Sequence, residues 1–250
     1  MLAVDGAILA VALSACTSPG GPAPAASDTP SESPAAAPFV EKGEPLSGVG
    51  PTGFPGIDFP LAAGAKSVTI SFECTGGTIY SVELGDSVGL GQAPLEGVCD
   101  GETTLAWPIV DRTGPALVVN MQDGVEWTAT PTFSKEDFAY DAAITADCEA
   151  FAAVYSALNN ADLGYTHYQA IDPGEWAERV AEAEVGLRAL VAEAQSSLGR
   201  QFAEFESVVS DPGREVGLAI PPKGYDVINR IHPTCNINHT PVIVLGEFGG

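Results

Sequence analysis

The sequence predicts an α+β protein of two domains. The first is a small antiparallel β-sandwich or open barrel, the second a disulfide-stapled bundle of about three helices. Apolar residues alternate with a period of two over residues 55–135, then recur with a helical period of about 3.6 over 140–235. Glycine and Asp-Gly punctuation is dense in the first stretch and sparse in the second. Two of the body cysteines fall in each stretch.

The β elements come first. Val68, Ile70, Phe72 and Cys74 form one alternating run, Tyr80, Val82 and Leu84 another, and Leu117, Val119 and Met121 a third. Gly76-Gly77, Asp100-Gly101 and Asp123-Gly124 read as turns between runs. Trp107 and Trp127 each sit inside a short β-like run. Six or seven short strands punctuated in this way fit a sandwich or an open barrel.

The helical elements follow. Ile144, Cys148, Phe151, Tyr155 and Leu158 share one helix face. Asp172-Pro173-Gly174-Glu175 is a start signal, with an N-cap acid, proline at the first helical position and an acid three residues after the cap. The stripe from Trp176 continues through Val180, Ala183, Leu187, Leu190, Ala194 and Leu198. It resumes at Phe202, Phe205 and Val209, with room for a break near Gly199. Asp211-Pro212-Gly213 stops it. A third helix is expected from Pro222 to about His232, ended by Pro233. Val242-Ile243-Val244-Leu245 is an edge strand or an extended piece that needs cover.

The start of the chain has a different character. Ala7 to Ala15 is apolar and uncharged, shorter than the ~20 residues of a spanning helix, and fits the core of a secretory signal. It ends in Leu13-Ser14-Ala15-Cys16, which resembles the lipobox of bacterial prolipoproteins. The scarcity of Lys beside many Ala, Gly and Pro resembles the lipoproteins of actinobacteria. The resemblance implies cleavage before Cys16, a diacylglycerol on its thiol, and a place on the outer side of the cell membrane. The segment TSPGGPAPAASDTPSESPAAAP that follows has no aromatic residue and no cation. Such a segment buries too little to offset its chain entropy, so it reads as a disordered tether. The expected organisation is a signal peptide over 1–15, a lipid-anchored tether over 16–50, a β domain over 51–135 and a helical domain over 136–250.

With Cys16 assigned to lipid, Cys74, Cys99, Cys148 and Cys235 remain. An even number in an exported chain suggests two disulfides, and four cysteines allow three pairings. The local pairing, Cys74 with Cys99 and Cys148 with Cys235, agrees with the domain split. The chain-entropy model assigns these loops ~3.5 and ~4.6 kcal/mol as upper values.

Charge excludes some partners. Ten Lys and Arg stand against 33 Asp and Glu, for a net charge of -23. No basic footprint is available for a nucleic acid or for adhesion to anionic lipid.

Several patterns bear on chemistry. Gly85-Asp86-Ser87-Val88-Gly89 matches the nucleophile elbow of α/β-hydrolases, but Leu90-Gly91-Gln92-Ala93-Pro94 follows where a long helix is needed, so a loop is expected. His232-x-x-Cys235-x-x-x-His239 has metal-ligand spacing, which makes His232 and His239 candidate ligands. Glu136, Asp137, Asp141, Asp147 and Glu149 gather near the expected junction and read as a solvated face, with weak Ca²⁺ binding as the alternative. Asn238-His239-Thr240 has the form of a glycosylation acceptor. Tyr80, Trp107 and Trp127 are candidates for an aromatic binding platform, or else core. Tyr165, His167 and Tyr168 cluster where a loop is expected. No catalytic set converges and no cofactor is implied. The chain reads as an envelope binding module for a cell-wall or extracellular ligand, with a metal-binding envelope protein as the alternative.

Overall fold

Val68, Ile70, Phe72, Cys74, Tyr80, Val82 and Leu84 all point inward from one 18-residue strand. The computed structural model describes residues 39–248. The expected signal peptide, Cys16 and the expected tether up to residue 38 lie outside them. In chain order the elements are β1 (Val40–Lys42), β2 (Leu46–Val49), β3 (Ile57–Asp58), β4 (Ser67–Leu84), the single-turn α1 (Ser87–Leu90), β5 (Leu95–Pro108), β6 (Ala116–Asn120) and β7 (Glu126–Ser134). The helices α2 (Ala142–Thr166), α3 (Pro173–Glu193), α4 (Gly199–Val209) and α5 (Pro222–Ile237) complete the chain.

The strands make a curled antiparallel half-barrel, nearer the open barrel than the sandwich. The order is β1-β7-β4-β6-β3, with β2 also on β7 and β5 on β4. Two of the expected turns lie inside strands. Gly76-Gly77 is a bulge in β4, and Asp100-Gly101 is paired within β5. Pairing passes from Thr75↔Asp100 to Ile79↔Val98, so three residues of β4 face Cys99 alone. That offset of two is even, and the inward face stays in phase across it. Gly76 and Gly77 have φ of 145° and 69°, conformations that side chains resist. The bulge bends β4 and divides its other edge: β7 pairs with residues 67–74 and β6 with 81–84. Asp123-Gly124 does lie in the β6–β7 connection.

Strands β1 and β2 correct the expected tether, because both pair with β7 inside the stretch 16–50. They are too short to show a period, and β7 supplies their partners. A side chain at Gly48 would strike the Trp127 indole, which lies over it, and Trp127 Nε1 donates to Gly50 O at 3.1 Å.

The helical layer has four helices where the sequence predicts about three, besides the single turn α1. The stripe from Trp176 to Val209 is interrupted after Glu193, ahead of Gly199. Asp147 of α2 explains the break. Its buried carboxylate accepts from Ser196 N at 2.8 Å and Gln195 N at 3.2 Å, holding the α3–α4 joint open. Asp172 caps α3 as expected, accepting from Gly174 N and Glu175 N at 2.8 and 3.0 Å. Helix α5 does not end at Pro233 but runs through it to Ile237. Proline removes one rung there, while buried Ile231 and Cys235 keep the last turn on the core.

The two disulfides are Cys74–Cys99, beside the bulge, and Cys148–Cys235, joining α5 to α2. Each layer keeps its own apolar cluster, around Phe72, Trp107 and Trp127 in the sheet and around Phe151, Phe202 and Phe205 among the helices. The expected boundary near residue 135 is a change of layer, since the described residues all belong to one compact unit. Strand β5 meets α5 directly.

Candidate functional site

The sheet and the helices do not close fully on one another. A cavity of about 450 Å³ opens between β5 and the ends of α2 and α5. One wall carries Tyr80, Leu95 and Leu105 from the sheet, and the other carries Phe138, Ile144 and Ile237. Its volume lies within the range of small-molecule sites. Glu96 and Asp141 are its only charged lining residues, both exposed, so the rim is purely acidic. The polar groups between them are Thr103, Thr104, Thr234 and Asn238.

Local sequence explains this geometry. Tyr80 and Gly97 are register partners, and the phenol ring lies over the glycine, where any side chain would collide with it. Burial pushes the Tyr80 phenol above its ordinary pKa, opposed by a hydrogen bond from Thr103 and reinforced by Asp100. Asn238 fixes the opposite wall. Its side-chain oxygen accepts from Asp141 N at 2.7 Å, and its nitrogen donates to Asp141 O and Thr145 Oγ1 at 3.2 and 3.0 Å. Asn238 is buried, so the apparent glycosylation acceptor is a structural joint.

His239 seals the layers above Trp107. Its Nε2 lies 2.7 Å from Ala106 O, which only an N–H can satisfy, so Nδ1 is the bare nitrogen. Nδ1 is buried without a partner, and the imidazole packs against Trp107 and Phe138 with ring centroids 6.2 and 5.2 Å away. Burial lowers the His239 pKa, and the Ala106 bond opposes that shift. His232 packs instead on Tyr155 of α2, and its pKa is lowered by burial against the opposing charge of Glu96.

The candidate ligands His232 and His239 are therefore not brought together as a donor set. Cys235, between them in sequence, is bonded to Cys148. Among the described residues no group of three or more His, Cys, Asp or Glu is close enough to hold an ion. The acidic gathering is likewise dispersed: Asp137 pairs with Lys66, Asp141 caps α2 and Asp147 holds the α3–α4 joint.

The aromatic platform expected from Tyr80, Trp107 and Trp127 is also corrected. They are 3%, 0% and 2% exposed, so none offers a ring face to solvent. Inward alternation on β4, β5 and β7 puts all three in the core. Only Tyr80 reaches the cleft, from inside the wall.

Ser87 does follow a strand and open a helix, but α1 is a single turn. The hydroxyl is fully buried and donates to Glu83 Oε1 at 2.6 Å, so it stands as a structural contact. Tyr165 packs on the helical core and Tyr168 stacks on Phe248 at 5.9 Å, with His167 edge-on to it. Glu96, Thr104, Phe138 and Ile237 carry no sequence signal, because each faces the cleft only after the layers meet. Of the lining residues, Tyr80, Asp141, Ile144 and Asn238 do stand out in the sequence, but as parts of separate patterns that do not converge there. No family model, no curated protein and no solved structure matches this chain, so the reading of the site rests on its own geometry.

Proposed function

We propose that this chain is an exported protein, anchored to the outer face of the membrane by lipid on Cys16. In this reading it is a non-enzymatic binding module, and its ligand occupies the cleft between sheet and helices. The single observation carrying the binding role is that cleft, with apolar walls and a rim whose only charges are Glu96 and Asp141. Such a site favours a small, largely apolar ligand that is neutral or cationic, and it repels anions. Export is supported by the two disulfides, which persist in oxidising compartments. Among the described residues no helix is long and apolar enough to cross a membrane.

Two measurements test the two halves. Detergent phase partitioning of the chain expressed in a bacterium reports the anchor. The protein should enter the detergent phase, and Cys16→Ala should move it to the aqueous phase; equal partitioning of both rejects lipidation. Uptake of the neutral apolar dye N-phenyl-1-naphthylamine reports the cleft. Thr104→Trp places an indole at this exposed lining position and should abolish uptake without changing the melting temperature. Undiminished uptake by that variant, or none by the unaltered chain, rejects the cleft as a ligand site.

A further inference from the structure

Ser156, Asn160 and Gly164 are spaced by four along α2 and form one row on its surface. After α5 the chain crosses that row without regular secondary structure. Leu245 N donates to Ser156 Oγ at 3.0 Å. Asn160 Nδ2 donates to Leu245 O at 2.8 Å, and Glu247 N donates to Asn160 Oδ1 at 3.0 Å. One side-chain amide thus holds the C=O of one residue and the N–H two residues on, as a neighbouring parallel strand does.

The end of the segment is read differently. The Phe248 ring sits on Gly164, where a side chain would collide with it, and the Tyr168 ring stacks on it at 5.9 Å. The Arg179 guanidinium lies 5.6 Å from that ring and bonds Glu247 Oε2 at 2.6 Å. Ile243 and Leu245 are 52% and 72% exposed and add little. Recognition therefore uses main chain plus one acid–aromatic pair. Cavities of about 710 and 350 Å³ border the segment and share Asn160 and Glu247 in their linings.

Ser156 and Asn160 are buried polar groups whose hydrogen-bond partners all belong to this segment. The segment has no ladder of its own, so releasing it requires only local opening. We propose that the α2 row is a docking site for an extended peptide carrying an acidic residue followed by an aromatic one. The chain's own residues 243–248 occupy it, and a partner's segment of that chemistry displaces them. The row shares no lining residue with the sheet–helix cleft, so either site stands or falls alone.

The test uses the full chain with Cys16→Ser and a fluorescent peptide copying residues 242–248. Glu247→Ala with Phe248→Ala should loosen the internal segment and raise peptide affinity by at least about tenfold, the factor expected when a charge-assisted contact no longer competes. Adding Arg179→Glu should abolish binding of that peptide and admit its Glu→Arg counterpart. A folded variant that binds neither peptide overturns the proposal. Should the variant fail to fold, hydrogen exchange on the chain with only Cys16→Ser decides. Excess peptide should speed exchange at 243–248 while α2 stays protected, and unchanged exchange overturns the proposal. Dimers formed by exchange of these segments between two copies, without peptide binding, also overturn it.

Discussion

Gly97 and His239 show how much a single position decides here. Gly97 lets the Tyr80 ring lie across β5. Gly97→Ala should cost about 1–3 kcal/mol, as overpacking does, lower the urea midpoint and reduce dye uptake by the cleft. Retention of both would show that the ring can move aside. His239 makes stability depend on pH. Its unfolded pKa is 6.5 and burial lowers the folded one, so below the unfolded value the unfolded chain binds more protons. The contribution is complete above 6.5 and is lost as pH falls towards the depressed folded value. His232 acts with the same sign, opposed by Glu96. Melting temperature should therefore drop as pH falls below about 6.5, ahead of most carboxylate titrations. His239→Asn, which tolerates the left-handed φ of 51°, should flatten part of that slope. An unchanged slope would remove His239 as its source.

At the scale of elements, α2 organises the helical layer through carboxylates that face inward. Asp147 takes the backbone N–H groups of Gln195 and Ser196, and Asp162 takes those of Ala219 and Ile220 together with Trp176 Nε1. Asp147→Ala removes the acceptor of two part-buried N–H groups and should cost up to about 3 kcal/mol. Amide exchange at residues 195–198 should rise first; a loss spread evenly over the chain would contradict a local role. These roles are not legible in the sequence. An acid on a helix looks the same whether it faces solvent or a chain break, and the carboxylates between Glu136 and Glu149 read as one solvated face. Caps are legible, because Asp172-Pro173 acts on its own next turn. Gly76-Gly77, Asp100-Gly101 and Pro233 look like element ends in the sequence and lie within elements in the fold, for a common reason. Glycine and proline report a local backbone conformation, and pairing with a neighbour decides whether that conformation ends an element or only bends it.

At the scale of the whole molecule, two disulfides staple two layers that share one cleft. Replacing Cys148 and Cys235 opens a loop with a sequence separation of 87, and replacing Cys74 and Cys99 one of 25. The entropic model makes the former worth up to ~4.6 and the latter up to ~3.5 kcal/mol. Denaturant midpoints of the paired Cys→Ala variants should fall in that order. The reverse order would mean that the bulge bond holds the half-barrel by more than loop closure.

Some of this protein is determined by residues acting on their near neighbours. The change from a period of two to a helical period, the start of α3 at Asp172 and the core face of β4 belong to that class, because periodicity and capping are settled within a turn or a strand. The two disulfides are approached by parity of count and by the change of period that puts two cysteines in each stretch. Tertiary structure alone decides that β4 is one bent strand serving both β6 and β7, and that Trp107 and Trp127 face the core. It alone decides that His232 and His239 lie against different rings. The cleft at Tyr80 and the row at Asn160 also arise only when distant segments meet, since each wall is ordinary in sequence and acquires its chemistry from what lies opposite.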